Sequence, residues 1–398
     1  MSSVKHNVTL NYGFEFISNL NFTQALWVSY LAYKGLTLVE IGLCESVFHL
    51  TSLIFEVPTG LIADRFGRKL SRNLGVLSRI IYLVLLLFVK DIALAMFSFV
   101  FAALSYNLDS GADSAFVYDS MVETGHEAHF AKVQGYREVV FQTASTVGIM
   151  IGGILADVSY SLAISAAIGT FVLGFIISLF FKEPKIHETH EIVTLKSLIK
   201  TAYSTLKKQP LLAGLMFYGA LFSSVAATFF LYLGTYLIGQ GYSLTLISVW
   251  YTFNTVGSII AALFVSRLIK RFDLKLVLYS SLVLAITFFF MPILPWGFLA
   301  FFFMGGMESM IYVGITFHIN RQISSDVRAT ILSVNSMAYS VIMIFLFPIF
   351  GIIGDIYGMQ VAFYLSAIFM GIFVIVFSLW QAYGPLTGQR IFDIMKQK

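Results

Sequence analysis

Gly60-Leu61-Ile62-Ala63-Asp64-Arg65-Phe66-Gly67-Arg68-Lys69 places four charged side chains in ten residues, with Arg72 close behind. About twenty largely apolar residues precede the stretch and about eighteen follow it, each run long enough to cross a bilayer. A charge cluster so placed reads as a membrane-surface loop, and its basic excess assigns it to the cytoplasmic face.

The composition agrees. Of 398 residues, 58% are hydrophobic and only 12% charged, which leaves too little polar surface for a soluble globule. With a single cysteine, Cys44, an internal disulfide is impossible and a thiolate metal cluster is excluded. No short apolar run ending in a small-residue cleavage site follows Lys5, so no removable signal peptide is expected.

Apolar stretches of spanning length fall at 9–33, 38–62, 73–90, 92–119, 134–156 and 160–181, then at 211–238, 243–266, 275–295, 296–320, 329–353 and 358–382. Twelve transmembrane helices are therefore expected. With the N-terminus cytoplasmic, the inside loops carry Arg65 to Arg72, Lys132, the linker, Arg267 to Lys275, Arg321 and Arg328, and only Lys34 and Lys90 fall outside. That asymmetry predicts cytoplasmic termini.

The two halves echo each other. The opening stretch is answered by Ala262-Leu263-Phe264-Val265-Ser266-Arg267-Leu268-Ile269-Lys270-Arg271, Gly111-Ala112-Asp113-Ser114 by Gly306-Met307-Glu308-Ser309, and Gly153 to Asp157 by Gly351 to Asp355. Three pairs in register predict two pseudo-symmetric six-helix bundles. Residues 1–181 form the first and 210–398 the second. The polar linker, 182–209, carries Leu195, Leu198, Ile199, Ala202 and Leu206 opposite Lys196, Lys200, Lys207 and Lys208, the pattern of an amphipathic interfacial helix.

In its spacing of Gly60, Asp64, Arg65, Gly67, Arg68 and Lys69, the opening stretch resembles the signature loop between the second and third helices of the major facilitator superfamily. The resemblance covers essentially the whole chain and implies alternating access of two bundles around a midplane site. It also implies that Asp113 and Glu308 approach a central cavity from opposite bundles. Asp119 and Glu123 would pair with Arg65 or Arg68, and Asp64 would sit near the N-terminus of the eleventh helix, all as gate residues. Two departures bear on the substrate. Asn107 stands where many members carry an arginine before Gly111, and Ile149 replaces the proline of the antiporter pattern that Gly148, Gly152 and Gly153 otherwise fit.

Carboxylates inside spans each cost about 2.5–3.5 kcal/mol even on lenient insertion scales, so they must face protein or water. Glu45, His49, Ser52 and Glu56 share one helix face, either as a cavity stripe or as a packing seam. Glu45 and His49, one turn apart, can pass a proton; Glu56 suits bonding to facing helix ends. Asp109 and Asp113 are also one turn apart. At about 6 Å and an effective dielectric near 20 they repel by about 2.8 kcal/mol, so one is expected to hold a proton unless a base such as Arg137 neutralises it. Glu15 and Asn19 add a polar pair on the first helix.

Enzyme readings do poorly. His126-Glu127-Ala128-His129 is one residue short of a zinc-protease signature, and no Walker-type phosphate loop is present. No residue is assigned a catalytic or metal-ligating role, and no cofactor is expected. The expected protein is a monomeric secondary transporter whose partners are a small-molecule substrate, protons and membrane lipids, not nucleic acid. A proton-coupled exporter of amphipathic or cationic compounds is the first reading. The alternatives are a proton-coupled nutrient symporter and a non-transporting sensor or lipid-handling protein on the same fold.

Overall fold

The computed structural model describes residues 4–110, 112–185, 195–292, 297–323 and 327–383. Gly111, linker residues 186–194 and the tail after 383 lie outside these, as do the side chains of Lys196, Leu195, Leu198, Ile199 and Arg328. The described chain is helical throughout, with no strand. Its helices are α1 (Val4–Asn19), α2 (Trp27–Tyr33), α3 (Leu38–Phe66), α4 (Arg68–Leu87), α5 (Ile92–Ser110), α6 (Asp113–Val122), α7 (Phe130–Val158), α8 (Tyr160–Leu179), α9 (Leu195–Lys208), α10 (Pro210–Gly239), α11 (Leu244–Phe272), α12 (Leu274–Phe290), α13 (Gly297–Gln322), α14 (Arg328–Tyr357) and α15 (Met359–Tyr383). Ten helical segments are long and apolar enough to cross a membrane, with α5 and α6 together forming one of them and the shorter α12 standing beside them. Large apolar side chains left more than half exposed, Ile54, Leu263, Phe345 and Ile375 among them, suit contact with lipid.

The structure corrects the expected helices in two places. The first stretch is not continuous: it breaks over residues 20–26, where Asn21 Oδ1 accepts from both Thr23 N (3.4 Å) and Thr23 Oγ1 (3.0 Å) and so offers the backbone a turn in place of a helix. The charged stretch is itself helical as far as Phe66, and α3 stops only at Gly67, whose φ of 99° is open to glycine. A Cβ there would also lie 2.6 Å from the Glu183 carboxyl carbon.

Contacts group the described chain into two units. Unit 1 comprises Met1–Leu195 with Leu231–Thr252 and Met343–Ile352; unit 2 comprises Lys196–Phe230, Phe253–Ile342 and Ile353–Lys398. In unit 1, α3 starts with a reciprocal cap, Glu40 N donating to Thr37 Oγ1 (3.3 Å) and Thr37 N to Glu40 Oε2 (2.8 Å). Helix α4 packs on α5 and α8, and Ser71 Oγ donates to Leu108 O across α4 and α5 (2.7 Å). In lipid, helix association relies on close packing rather than on expelling water. Unit 2 follows that rule: Ser258 Oγ donates to Gly305 O (2.9 Å), and a Cβ at Gly305 would meet the Asn254 carbonyl carbon at 2.7 Å. Elsewhere in unit 2, Phe229 stacks on Phe288 with ring centroids 3.7 Å apart.

Candidate functional site

Unit 1 encloses a cavity of about 860 Å³ with a charged end and an aromatic end. At the charged end Arg137 of α7 binds both Glu15 of α1 and Asp113 of α6. Arg72 of α4 reaches Asp113 Oδ1 from Nη2 (2.9 Å) and Asp109 Oδ1 from Nε (3.5 Å). Neutral donors and acceptors complete the set. Arg72 Nη1 donates to Asn11 Oδ1 (2.6 Å), Asn11 Nδ2 to Glu15 Oε1 (2.8 Å), and Arg137 Nη1 to Gln134 Oε1 (2.6 Å). Three acids share two arginines, so the group carries a formal charge of −1 when every member is ionised. Asp113 has two guanidinium partners; Asp109 has one contact and a half-exposed side chain.

Arg72 belongs to this network rather than to the surface cluster in which its position in the sequence places it. It is fully buried, with the rings of Phe14, Phe116 and Phe181 4.6–5.3 Å from its guanidinium carbon. The sequence carries a signal for this. Arg68, Arg72, Gly75, Arg79 and Tyr82 recur at helical spacing along α4, and all but Arg79 are buried. Arg79 is the second missed residue. The rule that a charge within a span must face protein or water applies to it as it does to the acids.

At the aromatic end the cavity is lined by Trp27, Tyr82, Phe99 and Phe171. Phe99 lies edge-on to Trp27 (5.1 Å) and to Tyr82 (5.7 Å), and the Arg79 guanidinium carbon lies over the rings of Tyr82 (5.3 Å) and Phe171 (5.6 Å). Glu45 also lines the cavity, 3.5 Å from the His49 ring. The α3 stripe does not act as one surface. His49 is buried, Ser52 Oγ donates to Asn107 Oδ1 (2.7 Å) as part of the α3–α5 seam, and Glu56 is exposed. Asn19 lines the cavity as well, its amide donating to Glu15 O (2.8 Å).

Around the signature stretch, Arg68 Nε donates to Asp119 Oδ2 (2.6 Å). The Glu183 carboxylate accepts from the backbone N–H groups of Arg68 (2.7 Å) and Lys69 (2.8 Å), an N-terminal cap for α4 supplied by a residue that the sequence assigns to the linker. Glu123 accepts from Lys185 N (2.9 Å) rather than from Arg65 or Arg68. Asp64 and Arg65 are exposed, and Gly60 faces open space within α3.

The other end of unit 1, where α2 meets α3, is closed by backbone-close contacts. Ser46 Oγ donates to Ile344 O (2.7 Å), Tyr232 Oη to Leu38 O (2.8 Å), and Trp27 stacks on Phe347. Asp157 accepts from the N–H groups of Leu244 (2.8 Å) and Thr245 (2.9 Å) at the start of α11. A Cβ on Gly42 would lie 2.6 Å from Pro348 Cα, and one on Gly153 2.7 Å from Leu244 O. Gly351 meets the first residues of α3 in the same way, so the repeated glycines play matching parts.

In unit 2, Glu308 of α13 lines a separate cavity of about 300 Å³ with Ser223, Phe230, Asn254, Leu284 and Tyr312. Among the described residues no base lies within ion-pair distance of it. Asn254 Nδ2 is buried there without an acceptor. No group of three His, Cys, Asp or Glu among the described residues is placed to hold a metal.

The family model of the Major Facilitator Superfamily matches residues 8–253 and 239–390. The chain belongs to that superfamily. It is 26% identical over 372 residues to the uncharacterized MFS-type transporter YxaM of Bacillus subtilis (strain 168), covering 89% of this chain and 90% of that one. The quinolone resistance protein NorA of Staphylococcus aureus (strain Mu50 / ATCC 700699) is 26% identical over 150 residues, 38% of either chain. Among solved structures, the nucleoside transporter NupG superposes with a TM-score of 0.79 at 12% identity, covering 96% of this chain and all of that one. A bacterial homolog of the lysosomal transporter Spinster gives 0.74 at 15% identity, over 94% and 95% of the two chains. These two likenesses support the fold alone. As a superfamily member the chain is a multi-pass membrane transporter.

Proposed function

We propose that this transporter is a proton-coupled exporter of amphipathic compounds in the cytoplasmic membrane. It works by alternating access, with residues 1–181 and 210–398 rocking as two bundles joined by 182–209 and with both termini cytoplasmic. The observation that carries this reading is Glu308, a carboxylate in a spanning helix that lines a largely apolar cavity and, among the described residues, has no base beside it. An unpaired charge in such a place costs several kcal/mol, and taking up a proton removes that cost. Proton occupancy and cavity environment are thereby linked, as coupling requires.

The charged network in unit 1 supports a second exchangeable proton. With three acids against two arginines, one proton brings the group to neutrality, and Asp109, the least paired acid, gives up least on accepting it. The aromatic walls suit an amphipathic body, and Glu45 and Glu138, cavity acids without an arginine partner among the described residues, suit a positive group on the same molecule. Export is favoured by the partial likeness to a resistance protein. Arg68 with Asp119, and Glu183 on the start of α4, would hold the gate at the signature stretch.

The test uses a compound selected by thermal stabilisation of the purified protein, since a ligand at a hundred times its Kd adds about 2.7 kcal/mol. In proteoliposomes, Glu308→Gln should abolish uphill movement driven by an imposed pH gradient while leaving counterflow exchange. Wild-type pH-driven flux in that variant would refute the coupling role.

A further inference from the structure

Arg79 is the one arginine lining the unit 1 cavity whose side chain has no carboxylate or other hydrogen-bond acceptor among the described residues; the other two, Arg72 and Arg137, are tied to acids. It stands well inside α4, two helical turns beyond Arg72, at the aromatic end of the cavity. Its guanidinium carbon lies over two rings, Tyr82 at 5.3 Å and Phe171 at 5.6 Å. These ring contacts occupy none of its five N–H donors, which are left to a ligand. Glu45 lies on the same cavity beyond ion-pair distance and is engaged by His49.

We propose that Arg79 recognises a carboxylate on the transported molecule, whose flat apolar body lies against Trp27, Phe99 and Phe171. The fork matches a carboxylate in a bidentate arrangement. The ring sequence Trp27, Phe99, Tyr82 runs from the cavity wall to the arginine, so a molecule with an aromatic body and an acidic end satisfies both features together. The cavity volume of about 860 Å³ is in the range that accepts a small organic molecule. A positive group elsewhere on the same molecule is compatible with this placement, since Glu45 faces the same space. The inference rests on reading the cavity as the solute site and narrows the substrate class to amphipathic carboxylates.

The experiment is equilibrium binding of 2-naphthoate, its neutral methyl ester and 2-naphthylmethylammonium to the full-length protein in nanodiscs of zwitterionic lipid, with no gradient imposed. Wild type should bind the carboxylate at least tenfold more tightly than the ester. Arg79→Gln should remove that preference without changing ester affinity, and Arg79→Lys should keep part of it, because an ammonium supplies charge without the fork. Equal affinity for acid and ester in wild type, no binding of the acid at all, or an unaltered preference in Arg79→Gln would each overturn the proposal. So would loss of naphthoate binding when phosphatidylglycerol is added to the discs, which would assign the arginine to lipid phosphate. The wild-type comparison stands even if Arg79→Gln fails to fold. Binding without a gradient is independent of coupling, so a failed flux experiment on Glu308→Gln leaves this result standing, and the reverse also holds.

Discussion

Replacing Arg72 by methionine, which keeps a long side chain in the same space, tests whether the charged network holds unit 1 together. The formal charge of the group would fall from −1 to −2, with Glu15, Asp109 and Asp113 left to Arg137 alone. Asp109 meets Arg72 only at 3.5 Å, its Oδ1 and Arg72 Nε buried without a hydrogen bond, so its share of the loss is the smaller one. Asp113, at 2.9 Å and 27% exposed against a guanidinium that is 1% exposed, dominates. Removing one partner of a buried pair costs about 3–5 kcal/mol, and we expect Arg72→Met to fall in that range. Adding Asp113→Asn returns the group to −1, and the double variant should regain about 1–3 kcal/mol. Equilibrium unfolding in mixed micelles of a mild detergent and dodecyl sulfate reads both quantities. Wild-type stability in Arg72→Met, or a further loss on adding Asp113→Asn, would refute the account of the network as mutually compensating charges.

Three further outcomes are expected. Glu183→Ala should lower stability in the same assay by about 0.5–2 kcal/mol, the value of an N-terminal cap, with Glu183→Gln between it and wild type. Gly42→Val should push α3 off Pro348 and raise maleimide labelling of the buried Cys44 several-fold, and unchanged labelling would show that the closed end tolerates a side chain there. Reporter fusions after Lys34, Lys90 and Gly239 should score external and those after Lys69 and Lys185 internal; an external score at Lys185 would overturn the proposed topology.

The positions of the spans were legible because membrane insertion acts on composition summed over about twenty residues, and single substitutions barely disturb such a sum. The break between α1 and α2 was not, since Asn21 and Thr23 are ordinary polar residues until a neighbouring helix gives their turn somewhere to pack. Partner choice was the least legible part. The spacing of Asp109 and Asp113 marks both as embedded acids, but Arg72's distance from them in the chain hides its contact across α4 and α6. Arg79 is hidden for a different reason: an embedded arginine is costly in a span as an acid is, but with its charge set over aromatic rings rather than against an acid it leaves no pairing signal. The pairing of Asp113 with Arg137 was available as an alternative and is the geometry found.

The interrupted first helix has a consequence for how the protein is made. Residues 20–26 replace the helical ladder with short-range turn bonds, Phe22 N donating to Leu20 O (3.1 Å) and Gln24 N to Asn21 O (3.3 Å), an irregular backbone that lipid tolerates only where protein covers it. Part of that cover is α7, where added Cβ atoms would lie 2.8 Å from Asn21 N at Gly148 and 2.9 Å from the Phe22 carbonyl carbon at Gly152. At about 5–20 residues per second, the ribosome needs roughly 6–25 seconds to travel from residue 26 to residue 152. For that interval the first segment has no finished seat in lipid, and it must be kept in the insertion machinery or at the membrane surface until α7 emerges. A chain truncated before Gly148 should therefore be recovered as a degradation substrate rather than as a stable partial bundle, even though its remaining spans are apolar enough to insert.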